Sequence, residues 1–239
     1  MRVKPDAGVA ALVASASAPY RAAGRFAWQF ARGKLRRDPV FTAILARGLL
    51  GDSRRILDLG CGQALLAAWL WAADAAYRAG SWPRGWPRPP APERYTGVEI
   101  DPREVARGRA ALGKRAQIVQ GDIRHVDYGP ADAIVLLDVL HYNDQASQEA
   151  VLTRARAALK PQGVLLLRVA DAEGGVGFVL SQLVDRLVAL ARRGRLPQLA
   201  CRPAREWRAL LERLGFATDT LPMSAGTPFA NVLLIARPV

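Results

Sequence analysis

Ile56-Leu57-Asp58-Leu59-Gly60-Cys61-Gly62-Gln63-Ala64 decides the fold: an apolar strand runs into a turn with two glycines and then, over 65–77, into a helical pattern. Side chains at positions 60 and 62 would hold a ligand off the backbone, whereas glycine allows close approach and a sharp bend. A glycine pair alone says little. Between a buried strand and a helix it occupies the place of a ligand-binding turn in an α/β protein.

Outward from this stretch, segments of buried-strand character recur between helical patterns at 55–59, 94–100, 116–120, 133–138 and 163–169. Such alternation predicts a parallel sheet. Runs of Val, Ile and Leu without strict polar alternation mean that both faces are covered, as in a doubly wound sheet. Segments 217–223 and 231–236 flank a Gly226-Thr227-Pro228 turn and read as a terminal antiparallel hairpin. The expected fold is α/β, a Rossmann-like, doubly wound sheet of seven strands, mostly parallel, with N-terminal helices and a helical lid.

At 239 residues and 51% hydrophobic content the chain suits one large core with local insertions. We read 1–50 as an N-terminal helical extension, with helical pattern over 21–50 broken near Asp38-Pro39, and 51–239 as the main domain. Within that domain, 79–93 is a Pro- and Trp-rich insertion that must be a surface loop, and 171–201 is the lid. The lid opens with Gly174-Gly175-Val176-Gly177 and continues as an apolar-faced helix through Phe178, Leu180, Leu183, Val184 and Leu187.

The net charge is +13, and 30 of the 34 basic residues are arginine, which suits an acidic partner or reflects a GC-rich genome. Cys61 and Cys201 are too few and too far apart for a disulfide framework or a metal cluster, so no metal is expected and the setting reads as cytoplasmic. No run reaches the roughly 18 apolar residues of a membrane span. The basic helical segments leave peripheral membrane contact open.

The segment around Asp58, Gly60, Cys61 and Gly62 resembles motif I of class I S-adenosylmethionine-dependent methyltransferases, with Ala64 where a third glycine often stands. The resemblance implies that this turn holds the methionine part of the donor and that Asp58 orders the loop and the amino group. Tyr95-Thr96-Gly97-Val98-Glu99-Ile100-Asp101-Pro102 ends the second strand with an acid, and the resemblance implies that Glu99 is the ribose ligand, with Ile100 beside it; Asp101 reads as the cap of the next helix. Val119-Gln120-Gly121-Asp122-Ile123 resembles the third-strand motif, in which Asp122 and the Ile123 amide meet the adenine. Asp138-Val139-Leu140-His141-Tyr142 resembles the fourth-strand motif facing the methyl group, and Leu159-Lys160-Pro161-Gln162-Gly163 the turn before the fifth strand.

Methyl transfer needs alignment and, for a protic acceptor, a base. His141 is the candidate base, with Tyr142 beside it and Asp138 on the donor side. The expected reaction moves a methyl group from S-adenosylmethionine to a small-molecule or carrier-protein-tethered acceptor, with S-adenosylhomocysteine as product. Two alternatives stand. An RNA methyltransferase suits the charge, but the fourth-strand segment lacks the Asn/Asp-Pro-Pro-aromatic arrangement of amino-methylating nucleic-acid enzymes. A non-catalytic cofactor-binding interaction module shares the fold. The tail Leu221-Pro222-Met223-Ser224-Ala225-Gly226-Thr227-Pro228, with Gly33-Lys34-Leu35-Arg36 and His141-Tyr142, resembles methyltransferases found with bacterial aryl-polyene (xanthomonadin-type) pigment genes. That resemblance implies a phenolic acceptor, free or on an acyl carrier protein. The sequence leaves the acceptor atom and the oligomeric state undecided.

Overall fold

The computed structural model describes residues 7–175, 178, 199–224, 226–227 and 229–239. Seven strands, β1 (Arg55–Leu59), β2 (Arg94–Glu99), β3 (Gln117–Gln120), β4 (Ala131–Leu137), β5 (Leu159–Ala170), β6 (Phe216–Pro222) and β7 (Asn231–Pro238), form a sheet in the order β3-β2-β1-β4-β5-β7-β6. β1 with β2, β2 with β3 and β4 with β5 pair in parallel, while β7 pairs antiparallel with both β5 and β6. This is the Rossmann-like architecture expected from the alternation of apolar strands and helical patterns, with its terminal hairpin.

The chain divides into two compact units, Met1–Ile123 and Arg124–Val239. In the first, α1 (Ala7–Ser17), a 3-10 turn (Ala18–Ala23), α2 (Arg25–Arg37) and α3 (Pro39–Ala46) precede β1, and α4 (Leu65–Arg78) and α5 (Pro102–Leu112) alternate with the strands. Helix α2 buries Ala27, Ala31 and Leu35, spaced four apart, so one narrow face packs inward while its arginines stay outside. The break expected near Asp38-Pro39 has a mechanism. The Asp38 carboxylate accepts the Val40 N–H at 3.1 Å, capping α3, Pro39 fills its first position, and Lys34 of α2 reaches the same carboxylate at 2.7 Å. Trp69 of α4 is fully buried, donates to the Phe41 carbonyl at 2.8 Å and meets the Phe41 ring edge-on.

The insertion 79–93 contains neither helix nor strand until the edge of β2. It is nonetheless ordered by its own side chains: the Trp82 indole donates to the Pro87 carbonyl at 3.0 Å and stacks edge-on against Trp86 with centroids 5.5 Å apart.

In the second unit α6 (Gln145–Ala158) starts at Asp144, whose side chain accepts the Ser147 N–H at 2.8 Å, and α7 (Ala204–Arg213) buries Trp207, Leu210 and Leu211. Strand β5 begins earlier than its apolar run suggests. Ala131 pairs with Leu159 and Ala133 with Val164, so the intervening residues of β5 bulge. Gly163 permits this: a Cβ there would lie 2.9 Å from the Asp132 carbonyl oxygen. The proposed lid, including Leu180, Leu183, Val184 and Leu187, lies mostly outside the described residues.

Replacing Asp38 by Ala removes the cap of α3 and its ion pair with Lys34. We expect a loss of about 1 kcal/mol of stability and a Tm lower by about 2–4 °C for a chain of this size. Thermal and urea unfolding of the variant measure it; an unchanged midpoint would show that the junction between α2 and α3 is held by packing alone.

Candidate functional site

In the first unit the turn after β1 is set by backbone sign. Gly60, Gly62 and Ala64 have φ of 76°, 55° and 58°, the left-handed region that glycine enters freely and alanine only at a cost. Ala64 thus adopts the conformation that explains why glycine suits this position. A Cβ built on Gly62 meets nothing within 4 Å, so open space lies over that part of the turn.

Each step of the turn is tethered. The Val98 carbonyl accepts the N–H groups of Gly60 and Cys61 at 2.8 and 3.0 Å, and Ala64 N–H returns to the Cys61 carbonyl at 2.9 Å. Glu99, only 8% exposed, accepts from Gly62 N–H through Oε2 at 2.9 Å and from Asp101 N–H through Oε1 at 2.8 Å. Asp101 caps α5 as its sequence position predicts, taking the Arg103 N–H at 2.9 Å. Gly97, paired with Asp58 across the β1–β2 ladder, leaves room for the turn: a Cβ there would stand 2.7 Å from Cys61 Sγ.

Asp58 is buried and accepts a hydrogen bond from the Tyr95 hydroxyl. Burial lifts its carboxyl to about 7, opposed by that hydrogen bond and assisted by the charge of Glu99. Burial also pushes the Cys61 thiol up, so this half-buried cysteine is held as a neutral thiol. Ile100 follows Glu99 with its side chain 46% exposed, Asp122 is half-buried and Ile123 is buried.

The remaining anticipated residues belong to the second unit. Asp138, just past β4, is a non-glycine residue at φ 58°. Its carboxylate is gripped from two sides by the buried Arg168 of β5, through Nε at 2.8 Å and through Nη2, and its N–H donates to the Arg168 carbonyl at 3.2 Å. His141, in a 3-10 turn (Leu140–Tyr142), is 4% exposed, with the Tyr142 ring 4.2 Å away. Burial lowers its imidazole to about 4, against the opposing charge of Asp138. It is therefore neutral across the physiological range, the form a base requires, yet a weak base. The loop is braced by Gln148 of α6, whose two amide hydrogens are shared among the carbonyls of Leu140 at 3.2 Å, Asn143 at 2.9 Å and Ala200 at 2.7 Å.

Sequence reasoning did not single out Tyr95, Arg168 or Gln148. A lone arginine within the run Leu165-Leu166-Leu167-Arg168-Val169 was the available signal, since buried arginines are paired. For Tyr95 and Gln148 no local pattern exists. Among the described residues no group of three or more His, Cys, Asp or Glu could hold a metal ion, and no helix is long and apolar enough to cross a membrane.

Comparison with known proteins places this turn in context. A family model described as "Methyltransferase domain" matches residues 28–221. Carboxy-S-adenosyl-L-methionine synthase of Chromohalobacter salexigens is 48% identical over 84 residues, 33% of this chain and 31% of that protein. Acetylserotonin O-methyltransferase of Mus musculus is 36% identical over 124 residues, 52% of this chain and 30% of that protein. The matches thus span about a third of each of these curated relatives. The crystal structure of human N-acetylserotonin methyltransferase in complex with SAM shares the fold at a TM-score of 0.60 and 17% identity, covering 99% of this chain and 60% of that one. With its family match running from before β1 to the end of β6, the chain belongs to the methyltransferase domain family.

Proposed function

We propose that this chain transfers a methyl group from S-adenosylmethionine to a hydroxyl of a small, aromatic acceptor. The observation that carries the reading is the state of Glu99. Each of its carboxylate oxygens takes one backbone N–H, and a carboxylate offers about four acceptor sites, so capacity for two further donors remains. The two hydroxyls of a ribose match that capacity. Open space over Gly62 accommodates the methionine part, and the exposed face of Ile100 accommodates a purine. Asp122 and the Ile123 amide are our assignment for the adenine edge.

The donor supplies a methyl group on a sulfonium, displaced in line to leave S-adenosylhomocysteine. The chain's contribution is alignment and charge. Asp58, ionised, favours the donor's ammonium group. The Asp138–Arg168 pair fixes the backbone after β4, and His141 and Tyr142 are our assignment for the acceptor side, taking its proton or shaping its pocket. The names of the relatives support the acceptor atom and the donor: one enzyme methylates oxygen and the other makes a carboxylated S-adenosyl-L-methionine. The carrier-tethered acceptor and the pigment pathway draw no support from these relatives, and a free phenol in the cytoplasm is the simpler assignment.

Formation of S-adenosylhomocysteine, followed by mass spectrometry with a panel of phenols and their deoxy analogues, tests the reaction; turnover independent of the hydroxyl defeats the O-methyl reading. Glu99→Ala should weaken S-adenosylhomocysteine binding by about 1–3 kcal/mol, the range for hydrogen bonds to a charged group. Calorimetry on the folded variant measures this, and unchanged affinity removes the ribose assignment.

A second expectation concerns pH. The Asp58 carboxyl, raised to about 7 from 3.8, contributes to stability fully below 3.8, and that contribution is lost as pH rises through 7. A cationic ligand favours the ionised form. Binding near pH 6.5 should therefore expel a proton, and affinity should climb as pH rises to 7. Calorimetry in buffers of different ionisation enthalpy reads the proton directly. Asp58→Asn should abolish the release; release that persists would place the titrating group elsewhere.

A further inference from the structure

The Gly60–Ala64 turn is tied to β2 at 60, 61 and 62 and to itself at 64, but the carbonyl of Gln63 is tethered from elsewhere. It precedes α4, which starts at Leu65, and so has no place in that helix's hydrogen-bond ladder. Its partner is the Tyr20 hydroxyl, which donates to it at 2.8 Å across 43 residues of sequence. Tyr20 is 0% exposed and stands in the 3-10 turn Ala18–Ala23, which opens with Pro19 and closes at Gly24 with φ of 100°. Pro19 restricts the backbone at the start of that turn, and Gly24 supplies the positive φ with which it ends.

A second observation shows that the turn is held against a cost. The Gln63 side chain is 1% exposed, and neither its amide oxygen nor its nitrogen has a hydrogen-bond partner. Burying an amide unsatisfied is unfavourable, and the left-handed backbone of the neighbouring Ala64 adds to it. A turn in this state relaxes unless it is pinned. On its other flank α5 closes in: a Cβ on Gly108 would lie 3.1 Å from the Gln63 carbonyl oxygen. That carbonyl is thus clasped between a glycine of α5 and the hydroxyl of the N-terminal segment.

We propose that Tyr20 is a positioning residue for the donor-binding turn: its hydroxyl holds the Gln63 carbonyl and keeps Gly60–Ala64 in the open, ligand-accepting shape, which makes the N-terminal helical segment part of the binding apparatus. This rests on the reading that the turn binds S-adenosylmethionine. The coupling is reciprocal, since whatever order of the N-terminal segment lends to the turn, donor binding returns to that segment.

Tyr20→Phe keeps the ring and removes only the hydroxyl. The Kd for S-adenosylhomocysteine and the KM for S-adenosylmethionine should rise about three- to tenfold, the value of one net hydrogen bond, while kcat at saturating donor stays within about twofold. An unchanged Kd in the folded variant overturns the proposal, as does a fall in kcat with KM constant. Should the variant fail to fold, hydrogen exchange on the wild-type chain decides: S-adenosylhomocysteine should increase amide protection over residues 18–24, and no change there overturns the coupling. Wild-type protein that binds no S-adenosylhomocysteine would instead overturn the donor reading itself, so the two failures are distinct.

Discussion

One residue, Glu99, ties together the ends of three strands, two of its contacts through the side-chain carboxylate and one through the main-chain carbonyl. Glu99 takes the Gly62 N–H of the turn after β1 on one oxygen and the Asp101 N–H at the head of α5 on the other, and its own carbonyl takes the Gly121 N–H beyond β3 at 3.0 Å. Turns that would otherwise choose their own exits from the sheet are thereby bound to a single residue. Charge-assisted bonds to backbone N–H are strong and short, and at 8% exposure water competes with them weakly. The arrangement also orients the anion before any ligand arrives, the condition under which an electrostatic contact costs no reorganisation when it is needed.

Around that carboxylate the first unit carries more polar burial than a packing core requires. Asp58 with Tyr95, Tyr20 with Gln63, and the buried Glu104 paired with Arg107 at 2.7 Å all lie on the elements that frame the turn. Each tyrosine hydroxyl is pushed up by burial and stays protonated, so each acts as a fixed donor. A core of leucines would be more stable and less specific. Fixed donors set the carbonyl of Gln63 and the carboxyl of Asp58 in one orientation, which apolar packing cannot do.

Most of the architecture was legible because it is periodic. Apolar runs gave β1 to its last residue, and the Gly226-Thr227-Pro228 turn marked the terminal hairpin. What was not legible lies in contacts between distant residues. Nothing near Tyr20 announces that its hydroxyl ends on residue 63, and nothing near Lys160-Pro161-Gln162 announces that β5 starts before them with a bulge. Local pattern reports which face is buried; it is silent on which buried polar atom meets which. Of the anticipated donor residues in the first unit, Gly62 and Glu99 share a hydrogen bond, whereas the ordinary pKa of histidine that makes His141 a candidate base is moved by burial to about 4.

The Asp138–Arg168 pair constrains how this sequence can change over time. Arg168 has 2% of its side chain exposed against 28% for Asp138, and a guanidinium does not shed its proton to escape burial. Loss of the aspartate alone would take from that buried charge the carboxylate that pairs with it, a destabilising step. Loss of the arginine alone would remove the two side-chain hydrogen bonds that hold an aspartate at φ 58°. Either single replacement therefore costs more than exchanging both residues for a packed apolar pair, so the two positions are coupled in what they can accept.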